Sequence, residues 1–319
     1  MTVGPDIAAP SPGVAVRRTL GAASPRYGEK AIMAVLAACA ALSIAVTTAI
    51  VVTLVLPSIA FFREVPIGEF LTGTTWQPAF SNAAFGVLPI VVGTLMVTAI
   101  ALVVAVPVGL CCAVYLSEYA GPRARKVIKP VLEILEGIPT VATGLFALLF
   151  LRPFAEDVLP FLPWGGLFSL LIAGIGVGLI IVPLVSSVAD DALRAVPPGL
   201  REGAYALGGN KFKVTVRVVF PAALSGVIAA IVLGMSRAIG ETMIVLIAAG
   251  GGNPNLSFDI FGSVQTMTAF IGRTATGDIS QGTIKYDTIF AVGTLLFVMT
   301  LAINVVAIRL VRRFREVYE

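Results

Sequence analysis

Long uninterrupted apolar runs dominate the chain and set its elements before any motif does. No charged residue occurs from Ala31 to Phe62, from about Ala84 to Ser117, or from Gly166 to Ala189. A membrane-spanning helix needs about 20 mostly apolar residues, so each run predicts one. Three further runs qualify: Val131 to Leu151, carrying Glu133 and Glu136; Ala222 to Ala249, carrying Arg237 and Glu241; and Thr288 to Ile308, uncharged. The pattern predicts an all-α membrane protein of six transmembrane helices. Pro, Gly and aromatic residues fill the alternate loops at 63–83, 152–165 and 250–287. Residues 1–29 are rich in Pro, Gly, Ala and Ser, and they predict a disordered tail ahead of a membrane domain over 30–319. The first apolar run starts late and is far too long for a signal-peptide core, so it is expected to stay as an uncleaved anchor.

Composition agrees. Apolar residues make up 57% of the chain and charged residues 13%, against about 45–50% and 25% in soluble proteins. So few charges cannot cover a water-facing surface, which excludes a soluble enzyme. The net charge of +4 reflects topology, and no nucleic-acid partner is expected. Seventeen of the 22 Lys and Arg residues fall in the two tails and in the loops after spans two and four. Lys and Arg mark the cytoplasmic side, so the chain should be a multi-pass protein of the bacterial cytoplasmic (inner) membrane with both termini cytoplasmic. Histidine is absent, and Cys39, Cys111 and Cys112 lie within apolar runs. These features leave no metal site, no cofactor and no catalytic residue to assign. Gly203 and Gly208 have the glycine spacing of a phosphate-binding loop, but Gly209 follows where that loop requires Lys. Uphill transport would therefore need an ATPase on another subunit.

The loop over 189–221 is the most specific segment. Pro198 suits a first helical turn and Gly208-Gly209 an end, predicting a short helix over about 198–209. Leu200, Ala204 and Leu207 share one face at i, i+4 and i+7. Spacing alone leaves open whether this helix grips a partner's groove or lies on lipid headgroups. The loop resembles the Glu-Ala-Ala signature of ABC-importer permeases: Glu202, Ala204, Gly208 and Pro221 match it, while Gly203, Val218 and Phe220 replace Ala, Ile and Leu. That resemblance implies the MetI-like ABC importer permease fold. It also implies that Leu200, Glu202, Gly203, Ala204, Leu207 and Gly208 form a coupling helix against the ATPase.

Arg237 lies near the middle of span five, where a charge costs about 2.5–3.5 kcal/mol on insertion scales. Glu241 at i+4 is placed to pair with it. The pair is either a neutralised structural bridge or a planar fork of donors for an oxyanion, tuned by the acid. Glu136 sits deep in span three, where Pro139 frees a carbonyl and bends the helix, so it is either part of a hinge or part of a pathway. Glu133 is expected to snorkel to the interface or to pair with Lys129. Gly174 and Gly178 form a small-x-x-x-small face for close helix packing, and Trp76 and Trp164 are expected as interface anchors.

The string Gly234-Met235-Ser236-Arg237-Ala238-Ile239-Gly240-Glu241-Thr242-Met243 resembles the Arg-Ala-x-Gly-Glu-Thr-Met segment of PstC-type permeases of phosphate-specific ABC importers. Leu71–Pro78, Leu116–Tyr119 and Glu136–Thr140 resemble the same family, and the likeness covers about residues 30–315. It implies inorganic phosphate as cargo and a substrate pathway including Arg237, Glu241 and Glu136. It further implies a second, PstA-like permease, an ATPase dimer and an extracytoplasmic phosphate-binding protein as partners. The alternatives are a permease for sulfate, molybdate or phosphonate, an ATP-independent secondary transporter, and, least in keeping with the missing His, a membrane-embedded enzyme.

Overall fold

Within lipid every backbone N–H and C=O must be satisfied internally, and a chain built of long apolar runs meets that demand by coiling into helices. A computed structural model describes residues 27–80, 82–277, 280 and 282–313, with side chains to Arg309. Of the tail expected at 1–29, residues 1–26 lie outside the described residues, whereas Tyr27, Gly28 and Glu29 already belong to the first helix, α1 (Tyr27–Glu64). The chain divides into two units, one up to Val52 and one from Thr53 onward. The described part of the first unit is the leading portion of α1. Its apolar side chains, among them Ile32, Leu36 and Ile44, are exposed, as suits a surface solvated by acyl chains.

The second unit begins with the rest of α1, then α2 (Ile67–Thr72), and a two-stranded hairpin of β1 (Trp76–Gln77) and β2 (Ala84–Phe85) with Trp76 opposite Phe85. Next come α3 (Leu88–Val114), a π-helical turn (Tyr115–Tyr119), α4 (Pro122–Glu136), α5 (Thr140–Phe146), a second π-helical turn (Ala147–Leu151) and α6 (Arg152–Val158). Then follow α7 (Leu170–Arg194), α8 (Pro198–Ala206), α9 (Lys211–Val214), a third π-helical turn (Thr215–Val219) and α10 (Phe220–Ala222). The chain closes with α11 (Leu224–Gly240), α12 (Met243–Ala248), α13 (Met267–Ala275) and α14 (Ile284–Arg313).

Among the described residues, four helices are long and apolar enough to cross a membrane, and six if each of two bent pairs counts as one span. The bend in span three is the one expected at Pro139, whereas the one in span five was not foreseen. Span three turns by 91° between α4 and α5, at Gly137-Ile138-Pro139, where proline removes a donor and glycine weakens the helix. Span five turns by 71° between Lys211–Ala222 and α11. It breaks again at Glu241, whose backbone is extended.

Packing centres on α3 against α7. A Cβ added at Gly174 would stand 2.6 Å from Ile100 Cγ2, and one at Gly178 would stand 2.9 Å from the Ala101 carbonyl oxygen. These glycines therefore let two backbones approach more closely than any side chain allows. Around that contact Val97, Ala101, Val177, Ile181 and Ile244 form a buried core. Trp76 is not an interface anchor: it is buried in edge-on aromatic contacts with Phe70 and Phe270. Trp164 is half-buried, donates from Nε1 to the Leu159 carbonyl, and carries the Arg152 guanidinium 4.6 Å above its ring.

Candidate functional site: an arginine at a broken span and a loop helix

Two regions gather the charges that an apolar bundle cannot hold without compensation. The first lies where the broken spans meet. Arg237, in the last turn of α11, reaches Glu136, the last residue of α4, with Nη1 to Oε1 at 3.4 Å. Both side chains are about one-third exposed, 32% and 34%. The expected pairing with Glu241 does not form, because α11 stops at Gly240 and the i+4 geometry ends with it. Glu241 is buried instead, and its Oε1 accepts from the backbone N–H groups of Met243 and Ile244 at 3.1 and 3.3 Å. A carboxylate at that position satisfies two orphan donors at the start of α12. Thr268 Oγ1 donates to its backbone carbonyl at 2.8 Å, so Glu241 pins the break rather than neutralising Arg237. Next to Arg237, Ser236 Oγ is 2.7 Å from Asn304 Oδ1 on α14. Beside the bend, an apolar crevice of about 600 Å³ is lined by Leu132, Leu135, Ile138, Phe146 and Leu179 among others.

The second region surrounds α8. Pro198 begins this helix and Gly208, at φ +80°, reverses the chain after it; a side chain there would be strained. Leu200 and Ala204 pack on the apolar cluster around Leu193, Val196 and Val219. Leu207 does not join them, since the helix ends at Ala206 and Leu207 projects outward, 91% exposed. Tyr205 and Phe212 are exposed nearby, as are Glu202 and Gly203.

Sequence reasoning missed the ion pairs under this helix. Asp190, fully buried, takes a paired hydrogen bond from Arg125 at 2.9 and 2.6 Å. Lys129 bridges Asp190 and Asp191 at 3.4 and 2.6 Å, so it does not serve Glu133. Arg201 of α8 reaches Glu118 at the end of span two, at 3.0 Å. The one available hint was that these charges sit next to apolar runs, where a charge needs a partner.

A bundle of bent apolar helices long enough to span a membrane, with an exposed helix in one loop, is the architecture of a multi-pass membrane protein. The chain belongs to the family of binding-protein-dependent transport system inner membrane components, whose model matches residues 105–316. The "Probable ABC transporter permease protein YqgH" of Bacillus subtilis is 34% identical over 271 residues, 83% of this chain and 85% of that one. "Phosphate transport system permease protein PstC 1" of Mycobacterium tuberculosis is 33% identical over 277 residues, 77% of this chain and 82% of that one. Among solved structures, a bacterial alginate ABC transporter superposes with a TM-score of 0.64 at 15% identity, covering 92% of this chain and 98% of that one. The MetNI methionine ABC transporter gives 0.52 at 18% identity, covering 72% and 95%. The fold is thus the MetI-like ABC importer permease fold.

Proposed function

We propose that this chain is the membrane permease subunit of an ATP-driven importer of inorganic phosphate. Both termini would face the cytoplasm, with the basic loops on the same side. Its partners would be a second, related permease, a pair of ATPase subunits, and a phosphate-binding protein on the far face. The phosphate reading is supported by the PstC-named relatives and by the geometry around Arg237.

The observation that carries it is the long, half-open Arg237–Glu136 pair. An arginine held by one carboxylate oxygen at 3.4 Å keeps most of its donors free for an incoming oxyanion. In this reading phosphate displaces Glu136 from Arg237, and Glu136 recaptures the guanidinium once phosphate leaves. Glu241 shapes the site by holding the start of α12. The exposed Tyr205, Leu207 and Phe212, with Glu202 and Gly203 beside them, offer α8 to an ATPase groove, and ATP-driven closure would move α8 and switch the pathway. The chain itself makes and breaks no bond.

The test is labelled-phosphate uptake in cells lacking this chain and again after its return, with excess sulfate or molybdate as competitor. Uptake should return, resist both competitors and stop when the ATPase is disabled. If another oxyanion enters and phosphate does not, the substrate is wrong; uptake that persists without the ATPase would sink the importer reading altogether.

A further inference from the structure

The end of span two is fastened from three directions. The π-helical turn Tyr115–Tyr119 offers a carboxylate, a ring and a carbonyl, and each is taken by a cation from a different segment. Glu118 receives Arg201 of α8, with Nη2 at 3.0 Å and Nε at 3.3 Å from Oε1. Lys211, at the start of α9, sits 5.0 Å above the Tyr119 ring. Arg125 of α4 donates to the Leu116 carbonyl at 3.0 Å while holding Asp190. Thus both flanks of the loop helix, α8 before Gly208 and α9 after it, anchor on one turn of span two.

Arg201 does more than neutralise Glu118. Its Nη1 donates to the Val196 carbonyl at 2.6 Å and its Nη2 to the Leu193 carbonyl at 2.7 Å. One planar fork therefore joins α8, the C-terminal end of α7 with the turn after it, and span two, a task for which a lysine ammonium lacks the geometry. The Glu118 side chain is 5% exposed, and Arg201 is its ionic partner among the described residues. By contrast α8 buries none of its own residues, so its apolar contact through Leu200 and Ala204 is shallow. A shallow helix transmits a push only through its stiff contacts, and the stiff contact here is the guanidinium. π-helical turns frequently lie at functional sites, and this one takes all three of these contacts.

We propose that Glu118 and Arg201 are positioning residues that make α8 and the end of span two move as one body, so that ATPase closure felt by α8 reaches the pathway. The inference rests on the reading of α8 as the ATPase contact.

The test uses the assembled complex in proteoliposomes, reading ATP turnover and phosphate uptake together. Glu118→Ala should retain the bound ATPase and its turnover but move about tenfold less phosphate per ATP, within the usual span of coupling effects. Glu118→Gln, which keeps the acceptor oxygen, should recover part of the ratio, and Arg201→Lys should fall between Glu118→Gln and Glu118→Ala. A Glu118→Ala complex with the wild-type ratio overturns the proposal, and so does loss of the ATPase from the complex, which would make the pair a docking support. A wild-type complex that turns over ATP without importing phosphate counts against the functional reading instead. A second measurement needs no substrate: spin labels at Ala206→Cys and Ala120→Cys, with the three native cysteines replaced by serine. Their separation should stay narrow through ATP binding in the wild-type background and broaden in Glu118→Ala; equal widths overturn the proposal.

Discussion

Arg237 and Arg201 each hold a glutamate on another segment, yet the two pairs are built for opposite purposes. Arg237 meets Glu136 through one contact of 3.4 Å, with both side chains about one-third exposed. Arg201 meets a buried Glu118 and two backbone carbonyls through four hydrogen bonds, and beside it Asp190 is fully buried under Arg125. A pair held by one long contact is more readily displaced than one held by several short bonds. Removing one partner of a buried pair costs about 3–5 kcal/mol, because the other charge is stranded. The loose pair suits a site that must exchange its counter-ion, and the tight ones suit a joint that must keep its shape. Proximity of opposite charges therefore says little until burial and bond count are known.

The sharpest way to break this contrast is at Arg237. Arg237→Gln should abolish phosphate uptake while leaving the complex assembled, as read by co-purification of the ATPase subunits. Uptake at the wild-type rate would make Arg237 a structural residue. Next in size, Asp190→Ala should lower stability in detergent by about 3–5 kcal/mol, whereas Glu136→Ala should lower it by clearly less. Equal losses by denaturant unfolding would erase the distinction between joint and site. The smallest effect belongs to the turn after α8. Gly208→Ala places a Cβ at φ +80° and should destabilise by about 1–2 kcal/mol. Nothing stands within 4 Å of that position, so a loss well above this range, read as a shift in melting temperature, would mean the turn carries load of its own.

The spans, the helix at Pro198 and the glycine that ends it were legible in the sequence, because each depends on local chemistry. Leu207 shows the limit of periodicity. Its spacing places it with Leu200 and Ala204, but the helix closes one residue earlier and turns it outward. Trp76 shows another limit: its position beside a span suggests an interface, yet it lies in the hairpin and packs edge-on against Phe70 of α2 and Phe270 of α13. Gly174 and Gly178 announced a close helix contact without naming its partner, which proves to be α3.

What the sequence by itself determined is where the chain can enter lipid, since transfer into an apolar medium sums over neighbouring residues, and a run of uncharged residues reports that sum directly. Arg152 takes a local acid, Glu156 one turn on, but only the tertiary structure decided which acids Arg237, Arg125, Lys129 and Arg201 hold. Arg237 takes Glu136 and not Glu241 because α11 ends at Gly240 and the bend at Pro139 leaves α4 ending beside it. Arg125, Lys129 and Arg201 find acids at least 61 residues away in the chain. An ion pair depends on where breaks and crossings deliver two side chains in space, and no local pattern of residues carries that distance.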